Sequence, residues 1–297
     1  ADATLANPVL TAAGCAGVGR ELAQFFDVGE LGAVVTRSVT RDARPGGSGA
    51  RMAETAAGML SDLDLGGAGI DTFLATDLPW LAQRRTRAVV SIAGSTLEEY
   101  AELARRVGTS PGVTAVEVNL LDLAGDAQQA ARVASVVRRD TARGIPVLVK
   151  LAPDVTSIVD VARSVVDSGA DGLVLGGRLR AMSIDHTTMR PALGGVAGGL
   201  SGPAVRPVAL RCVWEVHVAM PEVPLVGSGG VRCGLDALEF MLAGASAVQV
   251  GTFTFRDPCA PLRVRDELAT ALAERGFSRA GDAIGHAHRA PRQGGRR

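Results

Sequence analysis

The feature that most constrains this chain is a recurrence of short, β-branched apolar runs at Val9–Ala13, Ala33–Arg37, Ala88–Ala93, Ala115–Asn119, Val147–Leu151, Gly172–Leu175, Pro224–Gly227 and Ala247–Gly251. Most are apolar on consecutive positions, the pattern of parallel strands whose outer face is covered by helices. Helical periodicity lies between most of them. Ile158, Val161, Ala162, Val165 and Val166 fall at helix spacing behind a Thr156 cap, with Gly169 as the stop. Leu97–Val107 repeats the scheme behind Ser95 and Thr96. Eight such units predict a (β/α)8 barrel, with an open doubly wound sheet as the alternative. The barrel is expected to occupy residues 1–285 as one domain, with 286–297, rich in Arg, Gly and His and without apolar periodicity, as a disordered tail.

Charge and composition narrow the ligand. Lys plus Arg and Asp plus Glu both total 31, so no global field draws in nucleic acid or an anionic membrane, and a small-molecule substrate is expected. Aromatic residues make up 3%, too few for a base-stacking or sugar-stacking surface. Cys15, Cys212, Cys233 and Cys259 have no CxxC spacing, which predicts no metal centre, no iron-sulfur cluster and no disulfide framework. There is no signal-like N-terminal pattern, and no run approaches the ~18 apolar residues of a membrane span, so the expectation is a cytoplasmic protein.

Two connections, Ser38–Arg87 and Gly176–Val223, exceed what a plain crossover needs; in a barrel such loops build the active face. Gly227-Ser228-Gly229-Gly230-Val231 follows the seventh strand and Gly251-Thr252 the eighth. Bare amides at adjacent strand ends predict a phosphate cup; two tight turns are the bland alternative. Lys150, inside an apolar strand, must meet either an anionic ligand or a core carboxylate.

These residues, in order, resemble the dihydroorotate dehydrogenase family of FMN-dependent barrels, its soluble class 1 branch above all. The likeness is carried from about Asn7 to Phe277 by Asn7-Pro8-Val9, Glu54-Thr55-Ala56-Ala57-Gly58-Met59-Leu60, Ala93-Gly94-Ser95-Thr96, Val149-Lys150-Leu151, Gly198-Gly199-Leu200-Ser201-Gly202-Pro203, Gly229-Gly230 and Ala243–Thr252. The resemblance implies FMN, with its phosphate on Gly229, Gly230, Gly251 and Thr252, and with Ala13, Gly14, Arg37, Ser38, Ser91, Asn119, Ser201 and Gly202 around the cofactor. It sets Lys150 against the flavin pyrimidine edge, where a fixed ammonium stabilises the reduced ring. Arg37 stands where the family usually has lysine, an exchange that keeps charge but not shape.

The likeness breaks after Asn119. Where the family continues Ser-Cys-Pro-Asn, this chain has Leu120-Leu121-Asp122-Leu123-Ala124, placing Asp122 at the position of the proton-accepting Cys. Asp122 is therefore a candidate base, or else a solvated loop residue or helix cap. Of four family asparagines only Asn119 remains; Ser61, Ala124 and Gly177 replace the others, leaving a roomier pocket with Arg178 or Arg180 to hold a carboxylate. His186, on the second long connection, is either a solvated loop residue or a secondary acid or base; Cys15, beyond the first strand, is either packing or a nucleophile. The expectation is an FMN oxidoreductase acting on a non-orotate, larger metabolite, a homodimer whose electrons leave to a separate acceptor. The alternatives are a catalytically silent FMN-binding scaffold or partner subunit, and a true dihydroorotate dehydrogenase using Asp122.

Overall fold

The computed structural model describes residues 5–62, 66–120 and 126–289. Along the chain come β1 (Val9–Thr11), β2 (Val34–Val35), the hairpin β3 (Met52–Thr55) and β4 (Gly58–Ser61), then α1 (Gly69–Thr72) running through a π-turn into α2 (Leu78–Gln83). Next are β5 (Ala88–Ile92), α3 (Leu97–Gly108), β6 (Val113–Asn119), α4 (Ala127–Asp140), β7 (Val147–Leu151), α5 (Ile158–Asp167) and β8 (Gly172–Gly176). Four short strands follow, β9 (Leu179–Ala181), β10 (Ile184–Asp185), β11 (Arg190–Pro191) and β12 (Gly198–Ser201). The chain ends with α6 (Arg206–Ala219), β13 (Leu225–Ser228), α7 (Gly234–Leu242), β14 (Ala247–Val250), α8 (Ala260–Glu274), α9 (Ala280–Ala283) and α10 (His286–Arg289).

The eight expected strands pair in parallel in the order β1-β14-β13-β8-β7-β6-β5-β2. A parallel bridge between Leu10 and Ala33 joins the last strand to the first, so the sheet closes into a barrel and the open-sheet alternative falls. Closure removes the edge strands of the eight-stranded sheet itself. Helical starts follow local chemistry: Thr96 Oγ1 accepts from Glu99 N at 3.2 Å, while Glu99 Oε2 accepts from Ser95 N at 2.7 Å. The cap of α5 is Ser157 and not the expected Thr156, because the Ser157 hydroxyl is the one that reaches Asp160 N, at 3.4 Å. Gly169, at φ +104°, ends that helical unit as expected.

Strand periodicity separates two apolar layers. Val9, Val34, Val90, Val116, Val149, Leu173 and Leu225 point outward to the helices. Leu10, Val35, Val89, Ala115, Val174, Val226 and Ala247, with Leu148 packed against them, fill the barrel interior, one from each strand. Two residues further along, on the same face, stand Ser91, Glu117, Lys150, Ser228 and Gln249, all buried. An apolar plug thus carries a polar layer at the C-terminal end of the barrel.

The two long connections are not irregular. They meet in a four-stranded antiparallel sheet, β3-β4-β12-β9, with Leu60 paired to Leu200 and Leu200 to Leu179. At the other end of the chain, the disordered tail expected from His286 is corrected for 286–289, which form α10. His288 stacks on Trp214 of α6 with ring centroids 3.6 Å apart, and its Nε2 bonds the Ala243 carbonyl at 2.9 Å, contacts that give the segment a docking surface. Residues 290–297 lie outside the described residues. No helix among the described residues is long and apolar enough to cross a membrane.

Candidate active site at the C-terminal face of the barrel

A cavity of about 1090 Å³ opens above the polar layer, between the strand ends and the accessory sheet. Its floor is built on three buried side chains from β6, β7 and β14. Lys150 Nζ donates to Gln249 Oε1 at 2.8 Å, Gln249 Nε2 donates to Glu117 Oε2 at 2.6 Å, and the ammonium lies 3.8 Å from Glu117 Oε1. Lys150 thus has a core carboxylate and also lines the cavity. Glu117 and Gln249 were not singled out from sequence, although a Glu inside the apolar run Val113–Asn119 was the available signal.

Beside them, Asn119 Nδ2 donates to Ser38 Oγ at 3.0 Å, and the Ser38 and Ser91 hydroxyls are 2.9 Å apart. Tyr100 OH, from α3, donates to the Asn119 carbonyl at 2.9 Å and ties the strand end to the helix layer. Arg37 reaches the same cavity, and its Nε is buried with no hydrogen-bond partner. Burial first, and then the neighbouring Arg51 cation, holds the Arg37 guanidinium below its ordinary range. A cation left in that state at a cavity wall fits an anionic or carbonyl-rich ligand.

The opposite wall is a cradle that side chains would fill. Gly202, Gly229 and Gly230 adopt φ of +97°, +121° and +76°. A Cβ on Gly230 would lie 2.6 Å from Arg206 Cβ and 2.9 Å from the Gly202 carbonyl, and one on Gly202 would lie 2.9 Å from Gly58 Cα. Gly251 and Thr252 close the cup at the start of a 3-10 turn over Thr252–Phe255. Close backbone approach with free amides is the geometry of phosphate binding. An orphaned guanidinium nitrogen, a buried ammonium and a glycine cradle around one cavity together fit FMN.

Of the residues expected at the site, Ala13, Gly14, Arg37, Ser38, Ser61, Asn119, Lys150, Gly177, Arg178, Ser201, Gly202, Gly229, Gly230, Gly251 and Thr252 line this cavity. Ser91 stands one shell behind, bonded to Ser38. Ser61 ends β4, and Arg178 Nη1 donates to the Asp62 carbonyl at 3.2 Å, so the accessory sheet delivers both. His186 sits exposed in the turn joining β10 and β11 and is not among the residues lining the cavity, which favours the solvated-loop reading over a secondary acid or base. Arg180 is likewise exposed and off the cavity. Cys15 lines the wall, and burial pushes its thiol pKa up despite the opposing Lys150 and Arg178 charges, which disfavours the nucleophile reading. Asp122 and Ala124 lie outside the described residues. Among the described residues no cluster of His, Cys, Asp or Glu can hold a metal ion, and all four cysteines are free.

The family model of dihydroorotate dehydrogenase matches residues 1–272. This chain belongs to the dihydroorotate dehydrogenase family. It is 44% identical to the Pelobacter propionicus protein named dihydroorotate dehydrogenase B (NAD(+)), catalytic subunit, over 95% of this chain and 94% of that one. It is 45% identical to the protein of the same name from Desulforudis audaxviator, over 97% and 96%. A solved dihydroorotate dehydrogenase from Eimeria tenella, in complex with ferulenol, superposes with a TM-score of 0.78 over 95% of this chain and 86% of that chain; at 24% identity this is a likeness of fold. Dihydroorotate dehydrogenases are FMN-dependent oxidoreductases, and FMN is the cofactor of this family.

Near full-length identity to catalytic subunits of that name overturns the expectation of a larger, non-orotate metabolite, and the silent-homologue alternative with it. That expectation weighed Ser61, Ala124 and Gly177 against the rest of the chain. Ser61 and Gly177 do not by themselves redirect a site whose floor residues Asn119 and Lys150 are hydrogen-bonded in place.

Proposed function

We propose that this chain is the catalytic subunit of a dihydroorotate dehydrogenase, oxidising dihydroorotate to orotate, with a separate subunit passing the electrons on to NAD+. The observation that carries the reading is the pairing of Asn119 with Lys150 at the floor of a glycine-cradled cavity, in a chain 44% identical to such a subunit. When bound, FMN supplies a hydride acceptor. The chain's own residues do the rest. Gly202, Gly229, Gly230 and Gly251 present backbone amides to the phosphate, and Thr252 closes the cup. Lys150 offers a fixed positive charge where negative charge develops, and Asn119 orients the substrate with one donor and one acceptor. Arg178 brings a guanidinium group for the substrate carboxylate, while Arg37 faces the cofactor. Oxidation removes a hydride and a proton from adjacent carbons, leaving a carbon-carbon double bond; the proton goes to Asp122.

The experiment is anaerobic addition of dihydroorotate to the purified yellow protein. Bleaching of the visible flavin bands, with orotate released in equal amount, is the expected result; FMN that stays oxidised at saturating dihydroorotate would rule the assignment out. Asp122→Ala should keep its FMN and lose about 10²-fold or more in reduction rate, the usual contribution of a general base. Unchanged reduction in that variant would remove Asp122 from the mechanism.

A further inference from the structure

A buried lysine and a buried glutamate ordinarily meet in a direct hydrogen-bonded pair, because the interior offers neither of them water. Here they do not. Lys150 Nζ and Glu117 Oε1 are 3.8 Å apart, beyond hydrogen-bond distance, and Glu117 Oε1 has no hydrogen-bond partner although Glu117 is fully buried. The place of the direct bond is taken by Gln249. Its amide can serve both neighbours in one orientation alone: oxygen toward the ammonium, which only donates, and nitrogen toward the carboxylate, which only accepts. Gln249 comes from β14, paired in register with Leu10 of β1 and Ser228 of β13, so its side chain reaches Lys150 and Glu117 across the barrel interior. Of the three ammonium protons, Gln249 takes one, and the cavity-lining position of Lys150 leaves the others for what binds above.

We propose that Gln249 and Glu117 are positioning residues that set the positive charge felt at the cofactor. Gln249 holds the Lys150 ammonium up at the cavity floor and out of direct contact with Glu117, and Glu117 partly offsets that ammonium from beneath. The inference rests on the FMN reading of the site. Replacing Gln249 by Met keeps side-chain volume but removes the spacer, so the ammonium drops onto Glu117 Oε1 and the reduced cofactor loses support. Replacing Glu117 by Gln removes the offset, and the reduced cofactor gains support.

The test is the midpoint potential of FMN in the full-length holoprotein, read by spectroelectrochemical titration without substrate. Gln249→Met should shift the potential negative and Glu117→Gln positive, each by at least a tenfold change in the oxidised-to-reduced ratio, or ~30 mV for a two-electron couple. In a Lys150→Met background the effect of Glu117→Gln should vanish, since Glu117 then has no ammonium to act through. The Glu117→Gln/Lys150→Met double variant leaves no unpaired charge in the core, so it keeps the comparison open if Gln249→Met fails to fold. An equal Glu117→Gln shift with and without Lys150, or lowered melting temperatures with no shift in potential, would overturn the proposal. Wild-type protein that takes up no FMN would instead overturn the cofactor reading on which it stands.

Discussion

Asn119 and Lys150 are register partners on the adjacent parallel strands β6 and β7, so one group that orients a substrate and one that fixes a charge stand side by side at the cavity floor. Their supports run in different directions. Asn119 is held by Ser38 from the second barrel strand's end, Lys150 by Gln249 from the last strand. Asn119→Ala should therefore retain FMN while weakening substrate binding, because a lost polar contact costs about 1–3 kcal/mol, or roughly 10- to 100-fold in dissociation constant. Orotate binding followed by perturbation of the flavin spectrum checks this, and unchanged affinity would take Asn119 out of substrate recognition.

Lys150→Met removes the cation and leaves Glu117 buried without a counter-charge. Breaking a buried pair from one side costs about 3–5 kcal/mol, so a clear fall in melting temperature is expected together with slow flavin reduction. Adding Glu117→Gln should restore much of the stability but none of the reduction rate. Thermal melts and stopped-flow reduction, measured on the same preparations, separate the two roles.

Gly230→Ala tests the phosphate cradle. The new Cβ would meet Arg206 Cβ at 2.6 Å and would hold a backbone at φ +76°, a strain of about 1–3 kcal/mol. FMN should bind roughly 10- to 100-fold more weakly, measured by fluorescence quenching on adding FMN to the apoprotein. Wild-type affinity in this variant would place the phosphate elsewhere.

Cys15→Ser should keep turnover and FMN. Burial raises the Cys15 thiol pKa, which disfavours the thiolate that a nucleophile needs. Slow alkylation of Cys15 by iodoacetamide at pH 8, followed by mass spectrometry, is the companion result; rapid labelling would contradict the raised thiol pKa.

His217 links the end of the chain to acid stability. Burial, then the neighbouring His288 and Arg289, lower its pKa below the ordinary 6.5, and its Nδ1 has no hydrogen-bond partner. The unfolded state then binds more protons below about pH 6.5, so stability should fall as pH drops through that value until the folded-state pKa is reached. His217→Phe should flatten this limb of a melting-temperature profile, and an unchanged slope would assign it to other groups. The His217 ring already packs within van der Waals reach of positions Gly244 and Gly285, so the substitution keeps the apolar contacts.

The sequence by itself determined the barrel. Continuous apolar runs of strand length alternate with capped helices, and both signals are local, so eight strands, the α3 start at Leu97 and the Gly169 stop could be read from spacing alone. It also exposed the polar exceptions Asn119 and Lys150 and the glycine turns, because a polar or side-chain-free residue at a strand end is conspicuous against an apolar background. The chemistry of the substrate was misread from Ser61 and Gly177, since side-chain identities at a few positions say little about what neighbouring backbone offers. Tertiary structure decided the rest. Pairing of β3-β4 with β12-β9 joins segments far apart in the chain, and that sheet carries Ser61 and Arg178 to the cavity while leaving His186 outside it. Closure through Leu10 and Ala33 brings Gln249 across the interior to Lys150 and Glu117. No local pattern encodes that contact, because it exists only when the last strand has returned to the first and the interior has excluded water.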